Sequence, residues 1–119
     1  MKKKRILVVD DDTGMTDAVK RTLEHSGEFQ VREENFSERA LKTALQYKPH
    51  LILLDWKMPI LDGGEVADQI GKESELWDVP IIFITAFGSR AGKYGRPVLE
   101  KPFSQAELLS RVKQELDSA

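Results

Sequence analysis

With 119 residues, 40% of them hydrophobic and 32% charged, the chain has the size and composition of one compact domain with one core. Its net charge of -2 supplies no global field that would draw it onto nucleic acid or an anionic membrane, and the absence of cysteine excludes a disulfide framework and any Cys-based metal site. Its longest apolar runs fall far short of the roughly 20 residues that a membrane span needs, and the short apolar stretch after Met1 to Arg5 ends in aspartates, which is no signal peptide, so neither membrane insertion nor secretion is expected and the cytoplasm is the default location.

The basic run Lys2 to Arg5 reads as a solvated tail ahead of a first strand, Ile6 to Val9. That strand, Leu51 to Leu54 and Ile81 to Ile84 are rich in Ile, Leu and Val and do not alternate, as expected of strands buried on both faces of a parallel sheet. Between the first two lie a helix over Thr13 to Ser26, with Met15, Ala18, Val19 and Leu23 on one face and Gly27 as its stop, and a more polar strand from Phe29 to Glu33. Ser37 is placed to cap a helix whose apolar face is Ala40, Leu41, Ala44 and Leu45 and which ends near Pro49. The third strand, His50 to Asp55, is followed by a turn at Met58 to Gly63, a helix through Val66, Ala67 and Ile70, and a polar loop from Gly71 to Asp78. Pro80 to Thr85 is the fourth strand and Pro97 to Glu100 a short fifth. Ser104 and Glu107 form a capping box ahead of Leu108, Leu109, Val112 and Leu116. Five strands alternating with helices predict a doubly wound α/β sheet with right-handed crossovers and helices on both faces, in a single domain spanning residues 1–119.

In open parallel sheets ligands bind beyond the carboxyl ends of the strands. The first strand ends in Asp10, Asp11 and Asp12, the third in Asp55 and the fourth in Thr85, and Lys101 follows the fifth. Two bare carboxylates at ~4 Å repel by about 4 kcal/mol at an effective dielectric of 20. Raised carboxyl pKa values or a hard cation such as Mg²⁺ or Mn²⁺ would relieve that repulsion. A cation beside a carboxylate nucleophile, with a hydroxyl and an ammonium nearby, is the equipment of phosphoryl transfer. Taken singly each residue has a plainer use: Asp12 or Thr13 as a helix N-cap, Asp55 in a turn, Thr85 at a strand end, Lys101 as a surface charge. It is their joint placement at four strand ends that points to chemistry.

Those residues stand within longer motifs: Ile-Leu-Val-Val-Asp-Asp at 6–11, Leu-Asp-Trp-Lys-Met-Pro-Ile-Leu-Asp-Gly at 54–63, Ile-Thr-Ala at 84–86 and Lys-Pro-Phe at 101–103. In that order, and over nearly the whole chain, they resemble the receiver domains of two-component response regulators. The resemblance implies a flavodoxin-like five-stranded sheet in the order 2-1-3-4-5. It implies that Asp55 accepts a phosphoryl group from a sensor histidine kinase or a histidine phosphotransferase and later loses it by hydrolysis. The domain would catalyse both steps on itself and would be no enzyme for separate substrates. It makes Asp11 a direct ligand of Mg²⁺ (or Mn²⁺), Asp10 a second acidic partner and the backbone carbonyl of Lys57 a further ligand beside Asp55. Thr85 would contact the phosphoryl group through its hydroxyl and Lys101 through its ammonium, with a cis peptide before Pro102. Asp12 receives no ligand role. The side chains of Lys57 and Phe87 occupy positions that tune how long the phosphoryl group survives.

One segment departs from the family pattern. Fifteen residues separate Thr85 from Lys101, and Ala86 to Arg96, with three glycines and no apolar stripe, must make the crossover. A shortened or absent fourth helix is therefore expected there. The family's strand-five aromatic is replaced by Val98, which leaves Thr85, Phe87 and Val98 as the switch positions and the 86–96 loop as a candidate for the moving part. The output would pass to a downstream protein target or to an output domain of a parent chain, without direct contact to nucleic acid. Two rival readings are weaker. Asp10-x-Asp12 resembles the nucleophile motif of haloacid-dehalogenase-like phosphatases, but Gly14 follows Thr13 and that family's later acidic pair for Mg²⁺ is missing. A pseudo-receiver acting only by binding would not need Asp55, Thr85 and Lys101 together.

Overall fold

Strand β1 (Lys4–Val9), β3 (Leu51–Asp55) and β4 (Ile81–Ala86) form the middle of one parallel sheet, flanked by β2 (Phe29–Glu34) and β5 (Val98–Lys101) in the order β2-β1-β3-β4-β5. This computed structural model describes residues 2–86 and 95–118. Four α-helices lie among them: α1 (Thr13–His25), α2 (Ala40–Tyr47), α3 (Gly63–Gly71) and α4 (Gln105–Ser118). The flavodoxin-like architecture expected of the sequence is the one observed. The expected shortening of the helix between β4 and β5 falls on residues 87–94 and so lies outside the described residues.

Strand alternation sorts the side chains into two cores. Leu7, Val9, Ile52, Leu54, Ile81 and Phe83 face α2 and α3, joined by Ala40, Ala44, Val66 and Ile70. Ile6, Val8, Leu51, Leu53, Ile82 and Ile84 face α1 and α4, joined by Val19, Leu23, Leu108 and Val112. Each fully buried aliphatic of these strands contributes about 1.5–3 kcal/mol. That two-sided burial is why β1, β3 and β4 are continuous apolar runs, whereas β2, at the edge, alternates.

Helix ends follow local chemistry. The Asp12 carboxylate accepts from the N–H groups of Gly14 and Met15 and caps α1. Ser104 and Glu107 close the predicted capping box on α4. Asp62 and Glu65 form a second box on α3. Two local expectations are corrected. Ser37 opens a 3₁₀ turn, Ser37–Arg39, and caps nothing; its hydroxyl donates to the Pro59 carbonyl at 2.6 Å and accepts from the Leu61 N–H at 3.1 Å. The basic run is only partly a tail, because Lys4 and Arg5 belong to β1 and the Arg5 guanidinium donates to the carbonyls of Tyr47 and Lys48 at the end of α2.

Candidate functional site

The sheet register assembles the site. Val9 pairs with Leu54, so Asp10 and Asp55 stand side by side one step on; Asp55 pairs with Ile84 and Ala86 with Lys101. By the same alternation Asp10, Asp55 and Lys101 share the α1/α4 side, whereas Thr85 has the parity of Phe83 on the other.

Three of the expected residues therefore meet directly. Lys101 Nζ donates to Asp10 Oδ2 and to Asp55 Oδ1, each at 3.1 Å. Asp10 and Asp55 are 1% and 5% exposed, and the lysine side chain is 26% exposed, so the charges interact in a poorly solvated setting. Asp11 is exposed and joins them: one carboxylate oxygen from each of Asp10, Asp11 and Asp55 lies within 4.8 Å of the others. The peptide between Lys101 and Pro102 is cis, as the resemblance implied.

The protonation equilibria follow from that crowding. Burial, then the neighbouring Asp10 charge, push the Asp55 carboxyl up to about 6, against the pull of Lys101. Burial likewise raises Asp10, opposed by the Asp12 N–H and by Lys101. Burial works against the Lys101 ammonium, but the two carboxylates outweigh it and its pKa is raised. Among the described residues the Lys101 ammonium bonds two of the three clustered carboxylates, and the oxygen-only donor set fits a hard divalent cation such as Mg²⁺.

The remaining expected residues are less closely engaged. Thr85 is buried, yet its hydroxyl donates to the carbonyl of Ala86 at 3.3 Å, and among the described residues no hydrogen bond joins it to Asp10, Asp55 or Lys101. Lys57 is exposed in the turn after β3. Val98 is half-buried at the start of β5, packs against the α2/α3 core, and its carbonyl accepts from Arg111. Phe87 lies outside the described residues.

Two features of the turn after Asp55 were not anticipated. Ile60 has a φ of 73° and is 73% exposed, a left-handed conformation that a β-branched residue resists by about 1–2 kcal/mol. Asparagine tolerates that region, so Ile60→Asn is expected to raise stability by about 1 kcal/mol in urea denaturation; a lowered midpoint would show that the isoleucine side chain contributes more than its backbone loses. Gly63 packs against the end of β3. A Cβ there would lie 2.7 Å from the Asp55 carbonyl oxygen and 2.9 Å from Trp56 Cα. Both contacts are backbone, so Gly63→Ala is expected to shift Asp55 and to cost about 2 kcal/mol by overpacking. An unchanged urea midpoint would show that α3 can simply slide away.

A model of the response regulator receiver domain matches residues 6–113. The phosphate regulon transcriptional regulatory protein PhoB of Pseudomonas aeruginosa is 36% identical over 116 residues, 92% of this chain and 50% of that protein. The alkaline phosphatase synthesis transcriptional regulatory protein PhoP of Bacillus subtilis is 37% identical over 116 residues, 92% of this chain and 47% of that protein. The chain spans about half the length of these curated relatives. Among solved structures, a CheY-like response regulator receiver domain protein of Methanospirillum hungatei superposes with a TM-score of 0.88 at 28% identity, covering 98% of this chain and 96% of that one. The chemotaxis protein CheY4 of Vibrio cholerae gives 0.88 at 25% identity, covering 96% and 99%.

Proposed function

The chain belongs to the response regulator receiver domain family, and from that membership we propose that it accepts a phosphoryl group on Asp55 from the phosphohistidine of a sensor histidine kinase or histidine phosphotransferase. The observation that carries the proposal is the convergence of Lys101 Nζ on Asp55 Oδ1 and Asp10 Oδ2 within a cluster of three carboxylates. A buried, ionised carboxylate held by a cation but not consumed by it is a nucleophile with a fixed direction of attack.

In this reading an Asp55 oxygen forms the new bond to phosphorus as the phosphorus–nitrogen bond to the donor imidazole breaks. Asp10, Asp11, Asp55 and the Lys57 carbonyl would hold Mg²⁺ (or Mn²⁺), which would offset the charge of the carboxylates and of the phosphoryl oxygens. Lys101, already within hydrogen-bond reach of Asp55, pairs with a phosphoryl oxygen. Thr85 exchanges its bond to the Ala86 carbonyl for one to another phosphoryl oxygen, and this exchange is the step that reports the modification to β5 and to residues 86–96. Water then attacks phosphorus, the bond to Asp55 breaks, and inorganic phosphate leaves. Asp12 stays out of the chemistry because its carboxylate caps α1, which also removes the acid that a haloacid-dehalogenase mechanism would need.

The relatives' printed names concern transcriptional regulation by proteins about twice as long, so an output domain of a parent chain, or a separate protein target, is the proposed recipient of the signal. Direct contact of this domain with nucleic acid is not part of the proposal, in keeping with its net charge of -2. Among the described residues no helix is long and apolar enough to cross a membrane, and the proposed location is the cytoplasm.

The test is mass spectrometry after incubation with acetyl phosphate and Mg²⁺. A single labile phosphoryl adduct, released by hydroxylamine as an acyl phosphate is, is expected, absent without Mg²⁺ and absent in Asp55→Ala. An adduct that persists in Asp55→Ala, or none in the wild type, would overturn the assignment.

A further inference from the structure

The turn from Asp10 to Thr13 carries two of the three clustered carboxylates and must hold them against their mutual repulsion. Part of the restraint is local: the Asp12 N–H donates to Asp10 Oδ1 at 2.9 Å. The rest arrives from the neighbouring strand. Asn35, the residue after β2, is half-buried and directs its amide nitrogen into the turn. That nitrogen donates to the backbone carbonyl of Asp10 at 2.9 Å and to Thr16 Oγ1 at 2.9 Å. Thr16, fully buried in α1, donates in turn to the Thr13 carbonyl at 3.2 Å. One amide thus ties down both ends of the turn. The Asp10 carbonyl can only accept, so the nitrogen and not the oxygen of Asn35 must face it. A carboxylate at this position would have no donor, and a hydroxyl would have one hydrogen for two acceptors.

We propose that Asn35 is a positioning residue for the cation-binding carboxylates, fixing the backbone from Asp10 to Thr13 so that Asp10 and Asp11 stay gathered beside Asp55. The proposal rests on the reading of those acids as cation ligands. Asn35 touches no reacting group; it acts through the peptide of Asp10 and through Thr16, as outer hydrogen-bond partners do at metal sites.

Two readouts test it. Mg²⁺ affinity is measured from the fluorescence of Trp56, next to Asp55, at a temperature where every variant is folded. Amide exchange at residues 11–13 is measured in the metal-free protein. Asn35→Ala is expected to weaken Mg²⁺ binding about tenfold and to speed exchange in the turn. Thr16→Val, which cuts one of the two ties, falls between it and wild type. Asn35→Asp separates positioning from charge: a fourth carboxylate near the cation would tighten Mg²⁺ binding by electrostatics alone, whereas loss of both donors weakens it. Tyr47→Phe is the control, because it removes a bond to the same strand, Tyr47 Oη to the Gln30 carbonyl at 3.0 Å, away from the site.

The proposal is overturned if Asn35→Ala binds Mg²⁺ as tightly as wild type with unchanged exchange, if Asn35→Asp binds more tightly, or if Tyr47→Phe loses as much affinity as Asn35→Ala. Should Asn35→Ala not fold, Thr16→Val decides, and wild-type behaviour in both readouts overturns the idea. A wild type without a saturable Mg²⁺ response defeats the cation reading itself; the exchange readout then judges the tie alone, and unchanged exchange in the variants rejects it.

Discussion

Replacing Lys101 with methionine is expected to destabilise the metal-free protein by about 3 kcal/mol at about pH 8, with most of the loss recovered by about pH 4. The ammonium holds Asp10 and Asp55 at 3.1 Å each, and methionine fills its volume without its charge. Two carboxylates that are 1% and 5% exposed are then left facing each other with no cation between them among the described residues. Lys101 pulls both carboxyl pKa values down against the burial that raises them. Without it the folded protein holds protons still more tightly than the unfolded chain does. A folded-state pKa above the unfolded value means that stability falls as pH rises through that window, so the penalty is full above the folded values and vanishes below about 4. Urea midpoints from acid to alkaline pH would show the gap between variant and wild type opening with pH, and Mg²⁺ would close part of it by binding the folded form. A loss of the same size at every pH would mean that Lys101 stabilises through the packing of its stem and not through its charge.

Asp55→Asn carries the opposite sign. The Asp55 carboxyl, at about 6 against an ordinary 3.8, resists ionisation in the folded state. At about 1.4 kcal/mol per unit, this corresponds to about 3 kcal/mol of folding free energy withheld from the ionised, metal-free protein. Asparagine keeps the shape and an oxygen for Lys101 but carries no charge. The variant is therefore expected to be more stable than wild type at about pH 8 by up to that amount and indistinguishable from it below about pH 4. Saturating Mg²⁺ should reverse the order, because only the wild type offers the complete set of anionic ligands; a ligand at a hundred times its Kd stabilises by about 2.7 kcal/mol. Thermal unfolding of both proteins with Mg²⁺ and with chelator measures all four cases. If the asparagine variant were the less stable at alkaline pH without metal, Asp55 would not be the strained group described above. Asp55 is held in a destabilising environment, which in the proposed function a cation or a phosphoryl group would relieve, a trade between stability and function.

Residues that act through their neighbours in the chain could be read from sequence. The unbroken apolar runs at 6–9, 51–54 and 81–84 announced buried parallel strands. Each ended in a polar residue, so the topology of an open parallel sheet already placed Asp10, Asp55 and Thr85 at one edge. Asp12 as an N-cap and the Ser104–Glu107 box were equally plain, because a cap is completed within three residues. The edge strand β2 and the glycine stop after α1 followed from the same local rules.

Contacts that depend on strand register and side-chain reach were beyond that level. Lys101 bridges Asp10 and Asp55, 91 and 46 residues away in sequence; the motif order suggested a shared site, but only strand pairing shows that the three side chains share one side of the sheet while Thr85 has the other parity. Ser37, read locally as a cap, bonds Pro59 and Leu61 because the chain between α2 and α3 passes within reach of its hydroxyl. Asn35 offered no signal at all, since an asparagine after a strand is ordinary turn composition and its two acceptors lie 25 and 19 residues back. Gly63 looked like a turn glycine, but its lack of a side chain matters because the Asp55 and Trp56 backbone fills the space a Cβ would take. Local chemistry therefore determined which residues could do the work and at which end of the sheet they stand. Their distances, shared burial and resulting charge states came from packing, because each depends on segments that only the folded chain brings together.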